Sequence, residues 1–300
     1  MNPRALFVST RPHQWTKNLV VFAALALSKH LFEAGPFLRT AAAFAVFCAL
    51  SGSVYLVNDV VDVDRDRLHP TKRLRPLASG AIGVSSAVLA AAVLAALALV
   101  ASALLGIPFA TCASLYLALN LLYSFRLKDV VIVDAIVVSL GFVLRAVAGA
   151  VVIGVEFSDW LLICTILLAL FLTLCKRRHE LTSLNEAAVG HRRILSEYSP
   201  YLLDQMIAVV TASCLTAYAV YTTAGDTVDK FRTDKLSWTI PFVLYGIFRY
   251  LYLVHRKDQG GSPTDILLTD RPLLLAVALW AVAIVAIVYS AGGSPMPLVR

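Results

Sequence analysis

The segment Asn58-Asp59-Val60-Val61-Asp62-Val63-Asp64-Arg65-Asp66 carries the residues best suited to chemistry. Asp59, Asp62 and Asp66 stand at i, i+3 and i+7, so on a helix they share one face. Asp64 falls off that face and reads as a solvated carboxylate. The motif starts inside the apolar run Ser53-Val54-Tyr55-Leu56-Val57. Carboxylates at the mouth of a membrane helix are costly unless paired or bound to a cation. Mg²⁺ takes one or two carboxylates, several waters and substrate phosphates. Asp59, Asp62 and Asp66 are therefore expected to hold Mg²⁺ on a diphosphate, with Asn58 positioning the site. The plainer alternative is a solvated helix end paired with Arg65 and Arg67. The apolar start and the cationic loop that follows favour the metal.

That loop, His69-Pro70-Thr71-Lys72-Arg73-Leu74-Arg75-Pro76-Leu77-Ala78-Ser79-Gly80, offers Lys72, Arg73 and Arg75 to phosphate oxygens. Pro70, Pro76 and Gly80 specify a loop. Contacts to lipid headgroups would need the same charges. A second site is expected around Tyr123, Lys128 and Asp134, where Asp134 would carry a second metal or touch the substrate. Arg145 lies eleven residues beyond Asp134, about three helical turns deeper on the same face. At that depth it needs a phosphate or a core acid, Asp134 being one choice. Lys17, Asn18, Lys176 and Arg177 stand where helices enter the apolar layer. Trp15 and Tyr250 read as interfacial anchors.

The elements that must position these residues are membrane helices. Of 300 residues, 59% are hydrophobic and 15% charged, and the mean hydropathy is +0.77. A soluble domain is nearer 45–50% apolar and about 25% charged. This excludes a disordered chain, a secreted disulfide scaffold and almost any water-soluble enzyme. Nine apolar stretches can be drawn, over 15–33, 38–60, 84–105, 107–125, 130–154, 158–176, 202–223, 237–254 and 271–291. The expected fold is an all-α polytopic membrane protein of nine transmembrane helices, one domain over 1–300.

The net charge of +7 comes from 26 Lys and Arg against 19 Asp and Glu. Nineteen of the basic residues, Arg192 and Arg193 among them, fall on the side of the Asp-rich motif and six on the other. That side is expected to be cytoplasmic, with the N-terminus. Attraction to anionic membrane lipid accounts for the excess, and no nucleic-acid partner is expected. Acids cluster on the same side, which points to a polar cavity there. The five cysteines fall in or beside apolar runs without a CxxC pair and read as buried hydrophobes. Arg4, Arg11, Pro12, His13 and Lys17 interrupt the N-terminal segment, so the first helix is expected to be retained.

At these residues the chain resembles the UbiA superfamily of intramembrane prenyltransferases. Asn58, Asp59, Asp62 and Asp66 match its NDxxDxxxD motif, and Asp134 is the better match to its second acidic motif. RPxQWxKN at 11–18, HPTKRxRPxASG at 69–80, LRAVAG at 144–149, KRRxEL at 176–181 and Pro263, Asp265 and Asp270 are similar to the decaprenyl-phosphate phosphoribosyltransferase branch. The resemblance implies a UbiA-like bundle in a bacterial inner membrane, with a cytoplasmic-facing active-site cavity. It implies Mg²⁺-dependent transfer of 5-phosphoribose from phosphoribosyl diphosphate (PRPP) to a polyprenyl (decaprenyl) phosphate, feeding arabinan precursors of the cell wall. Asp59, Asp62, Asp66 and Asp134 would be the catalytic acids. Lys17, Asn18, Asn58, Lys72, Arg73, Arg75, Tyr123, Lys128, Arg145, Lys176 and Arg177 would bind substrate.

The chemistry is compatible with that branch. PRPP carries a 5-phosphate besides its diphosphate and so needs more cationic contacts than a prenyl diphosphate. Departure of diphosphate builds oxocarbenium character at the anomeric carbon. The acceptor phosphate is already anionic, so no strong general base is required. An aromatic prenyltransferase of the same fold is the nearest alternative. A lipid or solute transporter is a different class, but it would often show repeats, and no obvious repeat is present. A homo-oligomer is left open.

Overall fold

The computed structural model describes residues 3–68, 70–183, 197–257, 260–292, 295–296 and 298. His69, Arg192 and Arg193 lie outside them. Among the described residues every regular element is helical. Eight helices are long and apolar enough to cross a membrane. They are α1 (Ala34–Val61), α2 (Val84–Leu105), α3 (Ile107–Phe125), α4 (Val133–Ile153), α5 (Asp159–Ser183), α6 (Pro200–Thr223), α7 (Ile240–Arg256), which reaches spanning length with the 3₁₀ turn Lys235–Thr239 before it, and α8 (Arg271–Ser290). Shorter helices are named by their residues.

Local chemistry sets the boundaries. Proline stands in the first turn of α3, α6, α7 and α8, where its missing N–H costs nothing. Ser199 caps α6 through Leu202 N–H, and Asp270 caps α8 through Leu273 N–H. Gly106, at φ 130°, makes the reversal between α2 and α3 that a side chain would oppose.

The first expected span is corrected by the structure. Residues 15–33 do not form a helix of spanning length. Pro12–Phe22 is a 3₁₀ helix, followed by the short α-helix Ala23–Leu27. The cause is packing against α4. A Cβ on Gly149 would stand 2.0 Å from the carbonyl oxygen of Val21, so the two backbones are in direct contact. At about 2.0 Å per 3₁₀ residue and 1.5 Å per α residue, the sixteen residues 12–27 still extend roughly 30 Å.

This segment lies against α1 and α4, the two most buried long helices. One core cluster joins Val21, Phe47, Phe109, Tyr116 and Ala148 across the segment, α1, α3 and α4. A second joins Phe171, Leu203, Ile247, Tyr250 and Leu273 across α5 to α8. On α2, Leu89, Leu97 and Leu104 are exposed on an otherwise apolar helix, a face suited to lipid. The protein is a multi-pass membrane protein.

Candidate active site

The Asp-rich motif lies where α1 ends. The helix stops at Val61, Asp62 takes φ −97° and ψ 5°, and a short helix resumes over Val63–Leu68. The expected common face is therefore interrupted in its middle. Asp59 and Asp66 are buried, whereas Asp62 keeps 20% of its side chain exposed.

The basic loop folds back over the two buried acids. Leu77 and Ile82 anchor it by packing with Leu56, Ala87 and Ala91 of α1 and α2. One nitrogen of Arg75 donates to Asp59 Oδ1 at 3.2 Å and to Asp66 Oδ2 at 2.5 Å. Arg11, with φ 53°, also donates to Asp59. Lys72 is half-buried on the 3₁₀ turn Lys72–Leu74, and Arg73 is exposed there. Asp62 turns elsewhere. Lys128, held on the 3₁₀ turn Leu127–Asp129, donates to it at 2.7 Å, and Arg65 stands at 4.0 Å. Asn58 is half-buried in the last turn of α1, its carbonyl accepting from Asp62 N–H.

The second expected site is a closed ion-pair network. Asp134 is fully buried at the start of α4 and accepts from Arg177 Nε at 2.6 Å and Tyr198 Oη at 3.1 Å. Arg177 further donates to Glu180 at 2.6 Å and Tyr123 Oη at 3.2 Å. Lys176 lies 3.7 Å from Glu180. Burial pushes the Tyr198 hydroxyl up to about 12, with the Asp134 carboxylate acting in the same direction, so it stays a donor at neutral pH. The same hydroxyl accepts from Ile132 N–H at 2.7 Å. Ile132 sits at φ 67° in a γ-turn closed by Val133 N–H on Val131 O at 2.7 Å, a rare and strained conformation. That turn delivers Asp134 to Arg177.

Arg145 does not pair with Asp134, which corrects one of the two expected partnerships. Its guanidinium donates to Tyr116 Oη at 2.6 Å and Gly141 O at 3.1 Å. Asn18 is buried against α1, donating to Ser51 Oγ at 3.3 Å and Cys48 Sγ at 3.4 Å. Lys17 is half-buried within electrostatic range of Lys176, Arg145, Arg11 and Asp265.

The residues present suit a divalent cation on two of the three expected ligands. Among the described residues no group of three or more His, Cys, Asp or Glu side chains could hold a metal. Asp59 and Asp66 nevertheless converge on one positive charge, the arrangement needed when Mg²⁺ takes two carboxylates and completes its shell with water and phosphate.

Residues 18–264 match the model of the UbiA prenyltransferase family. The chain belongs to that family. As a UbiA protein it is a membrane transferase. It is 36% identical over 287 residues to the decaprenyl-phosphate phosphoribosyltransferase of Corynebacterium glutamicum, covering 93% of this chain and 85% of that one. It is 33% identical over 286 residues to the protein of the same name from Mycobacterium tuberculosis H37Rv, covering 93% and 92%. Among solved structures, the UbiA homolog from Archaeoglobus fulgidus bound to GPP and Mg²⁺ superposes with a TM-score of 0.74. That match is at 20% identity over 95% of this chain and 99% of that one, a likeness of fold.

Several members of this UbiA site escape a reading of spacing alone. Arg11 lies 48 residues from its partner Asp59, and Tyr198 lies 64 from Asp134. No local periodicity links them. Glu180 was legible, because Arg177 and Glu180 are i, i+3 on one helix.

Proposed function

We propose that this UbiA protein transfers 5-phosphoribose from PRPP to a polyprenyl phosphate and releases diphosphate. The likeness to proteins named decaprenyl-phosphate phosphoribosyltransferase, over more than nine-tenths of this chain, carries the reading. The charge arrangement supports it. Arg11, Arg75, Lys128 and Arg177 surround the acids, and Lys17 and Arg145 lie beyond them. That is more cation than one diphosphate needs.

In the proposed reaction the anomeric C–O bond to diphosphate breaks, and an oxygen of the acceptor phosphate bonds to the same carbon. Asp59 and Asp66 would hold Mg²⁺, with Asp62 at the rim. Bound there, the ion would offset charge on the departing diphosphate. Arg75 and Arg11 are placed to exchange their carboxylate partners for phosphate oxygens, with Lys72 and Arg73 on the same loop. Arg177 is oriented by Asp134, Tyr123 and Glu180, which makes Asp134 a positioning residue in this reading. The acceptor phosphate is anionic at neutral pH, so the side chains need only orient it and exclude water. The site would open to the cytoplasm in a bacterial inner membrane, with the polyprenyl chain in a lateral groove.

The test uses purified protein in detergent with Mg²⁺, a polyprenyl phosphate and radiolabelled PRPP, followed by organic extraction. Label in the lipid phase that is lost with EDTA is expected. Product from a prenyl diphosphate and an aromatic acid, without label from PRPP, would overturn the assignment of substrate. An unchanged lipid mass in both assays would point to transport.

A further inference from the structure

Among the described residues Arg145 is a buried cation with no carboxylate partner. Its residue is 6% exposed, within α4 and deeper in the bundle than Asp134. Its hydrogen bonds go to one phenol and one carbonyl, both neutral, and its Nε is buried with no partner. It stacks 4.6 Å from the Tyr116 ring centroid and 5.2 Å from that of Phe142. Among the described residues no carboxylate pairs with it, and the nearest acid along its own helix, Asp134, is taken by Arg177. An unpaired charge in such a place is strongly disfavoured, so it is kept where an anion arrives to meet it.

The surroundings have the same sign. The main charges acting on Lys17 are Lys176, Arg145 and Arg11, opposed by Asp265. Asn18 is 1% exposed, shares Cys48 as a neighbour with Arg145, and has a buried Oδ1 with no partner. An amide oxygen left over beside a cation suits a ligand that brings hydroxyl donors with its anion.

The position relative to the acids sets the scale. The Arg11 guanidinium binds Asp59 and also lies 4.8 Å from the Tyr55 ring centroid. Tyr55 feels Arg145 as well as Arg11. Tyr55 is thus a neighbour of the Asp59–Arg11 pair and within electrostatic range of the inner cation.

We propose that Arg145 anchors a second anion subsite, one that takes a phosphate monoester separately from the diphosphate held near Asp59 and Asp66. This rests on the reading of the reaction above. Two substrates in that reading carry such a group: the donor at its 5-position and the acceptor lipid at its head. A prenyl diphosphate paired with a non-phosphorylated acceptor would bring no such group to Arg145.

The experiment measures binding to purified protein in detergent of three probes: ribose 5-phosphate, a short-chain prenyl phosphate and inorganic pyrophosphate. Wild type is compared with Arg145→Gln and Arg145→Lys, each first shown to be monodisperse and helical. Arg145→Gln is expected to lose tenfold or more in affinity for one monoester and to keep pyrophosphate affinity within about threefold. Arg145→Lys is expected to recover part of the loss. Loss confined to ribose 5-phosphate assigns the subsite to the donor, and loss confined to the prenyl phosphate assigns it to the acceptor. Unchanged affinity for both monoesters, or an equal loss for all three probes, would overturn the subsite. Lipid-phase label from PRPP with wild type tests the reaction itself, so a working transferase with an indifferent Arg145→Gln defeats this inference alone.

Discussion

Asp59 and Asp66 are set apart from the other acids by what they share. Both point to one nitrogen of Arg75, whereas Asp62 is held by Lys128 at a more open position. Asp59→Asn and Asp66→Asn are each expected to lower turnover a hundredfold or more, and Asp62→Asn considerably less. Steady-state rates at saturating Mg²⁺, with melting curves as the folding control, would check this order. Asp134 belongs to a different class. Its loss leaves the Arg177 charge buried and half-paired, so Asp134→Ala is expected to destabilise by about 3–5 kcal/mol. Thermal or denaturant unfolding in detergent reads that cost directly. Asp270 adds a pH dependence. Its hydrogen bond from Arg249 holds the carboxyl below the usual carboxylate range, helped by Leu273 N–H. A depressed carboxylate stabilises fully above its unfolded value and loses that contribution as pH falls through the folded one. The melting-temperature gap between wild type and Asp270→Ala should thus be widest near neutral pH and shrink below about pH 4.

Among elements, the 3₁₀ segment Pro12–Phe22 is the one that periodicity mistook. Its polar first half, Pro12–Asn18, leads into the apolar run Leu19–Leu27, for which an α-helix is the natural expectation. Gly149 decides otherwise by letting the α4 backbone approach Val21 O. Gly149→Ala forces those backbones apart and is expected to cost at least about 1–3 kcal/mol. Activity should fall further than stability, because the displaced segment carries Arg11 and Lys17. Comparing melting temperature with turnover in this variant checks both parts. The bend at Asp62 has a similar lesson. A helical wheel joins three carboxylates, but the wheel assumes an unbroken helix, and the chain reorients between Val61 and Val63.

For the whole molecule, the sidedness rests on charge. The Asp-rich end collects the basic loops, and by the positive-inside rule the proposed orientation puts that end in the cytoplasm. The native cysteines are buried or half-buried, so background labelling is low. Arg73 is exposed at the Asp-rich end, and Asp234 is exposed between α6 and α7 at the opposite end. A membrane-impermeant maleimide on intact cells is expected to label Asp234→Cys and to spare Arg73→Cys. Inverted vesicles should reverse the pattern. Labelling of Arg73→Cys on intact cells would turn the molecule over and move the active site to the other face.

Much of this was legible without coordinates. Apolar runs of membrane length need no tertiary partner to declare a helix, because the backbone must satisfy itself in lipid. The NDxxDxxxD spacing and the distribution of Lys and Arg are likewise properties of the chain. What folding decided was the pairing. Arg11 with Asp59, Lys128 with Asp62 and Arg177 with Asp134 are 48, 66 and 43 residues apart. Helical periodicity relates residues of one helix only, so it shows which charges share a face or an end but not which meet across helices. The same limit left Arg145 with two expected partners. Only the packed helices show Asp134 already taken by Arg177 and, among the described residues, Arg145 Nε buried without a partner.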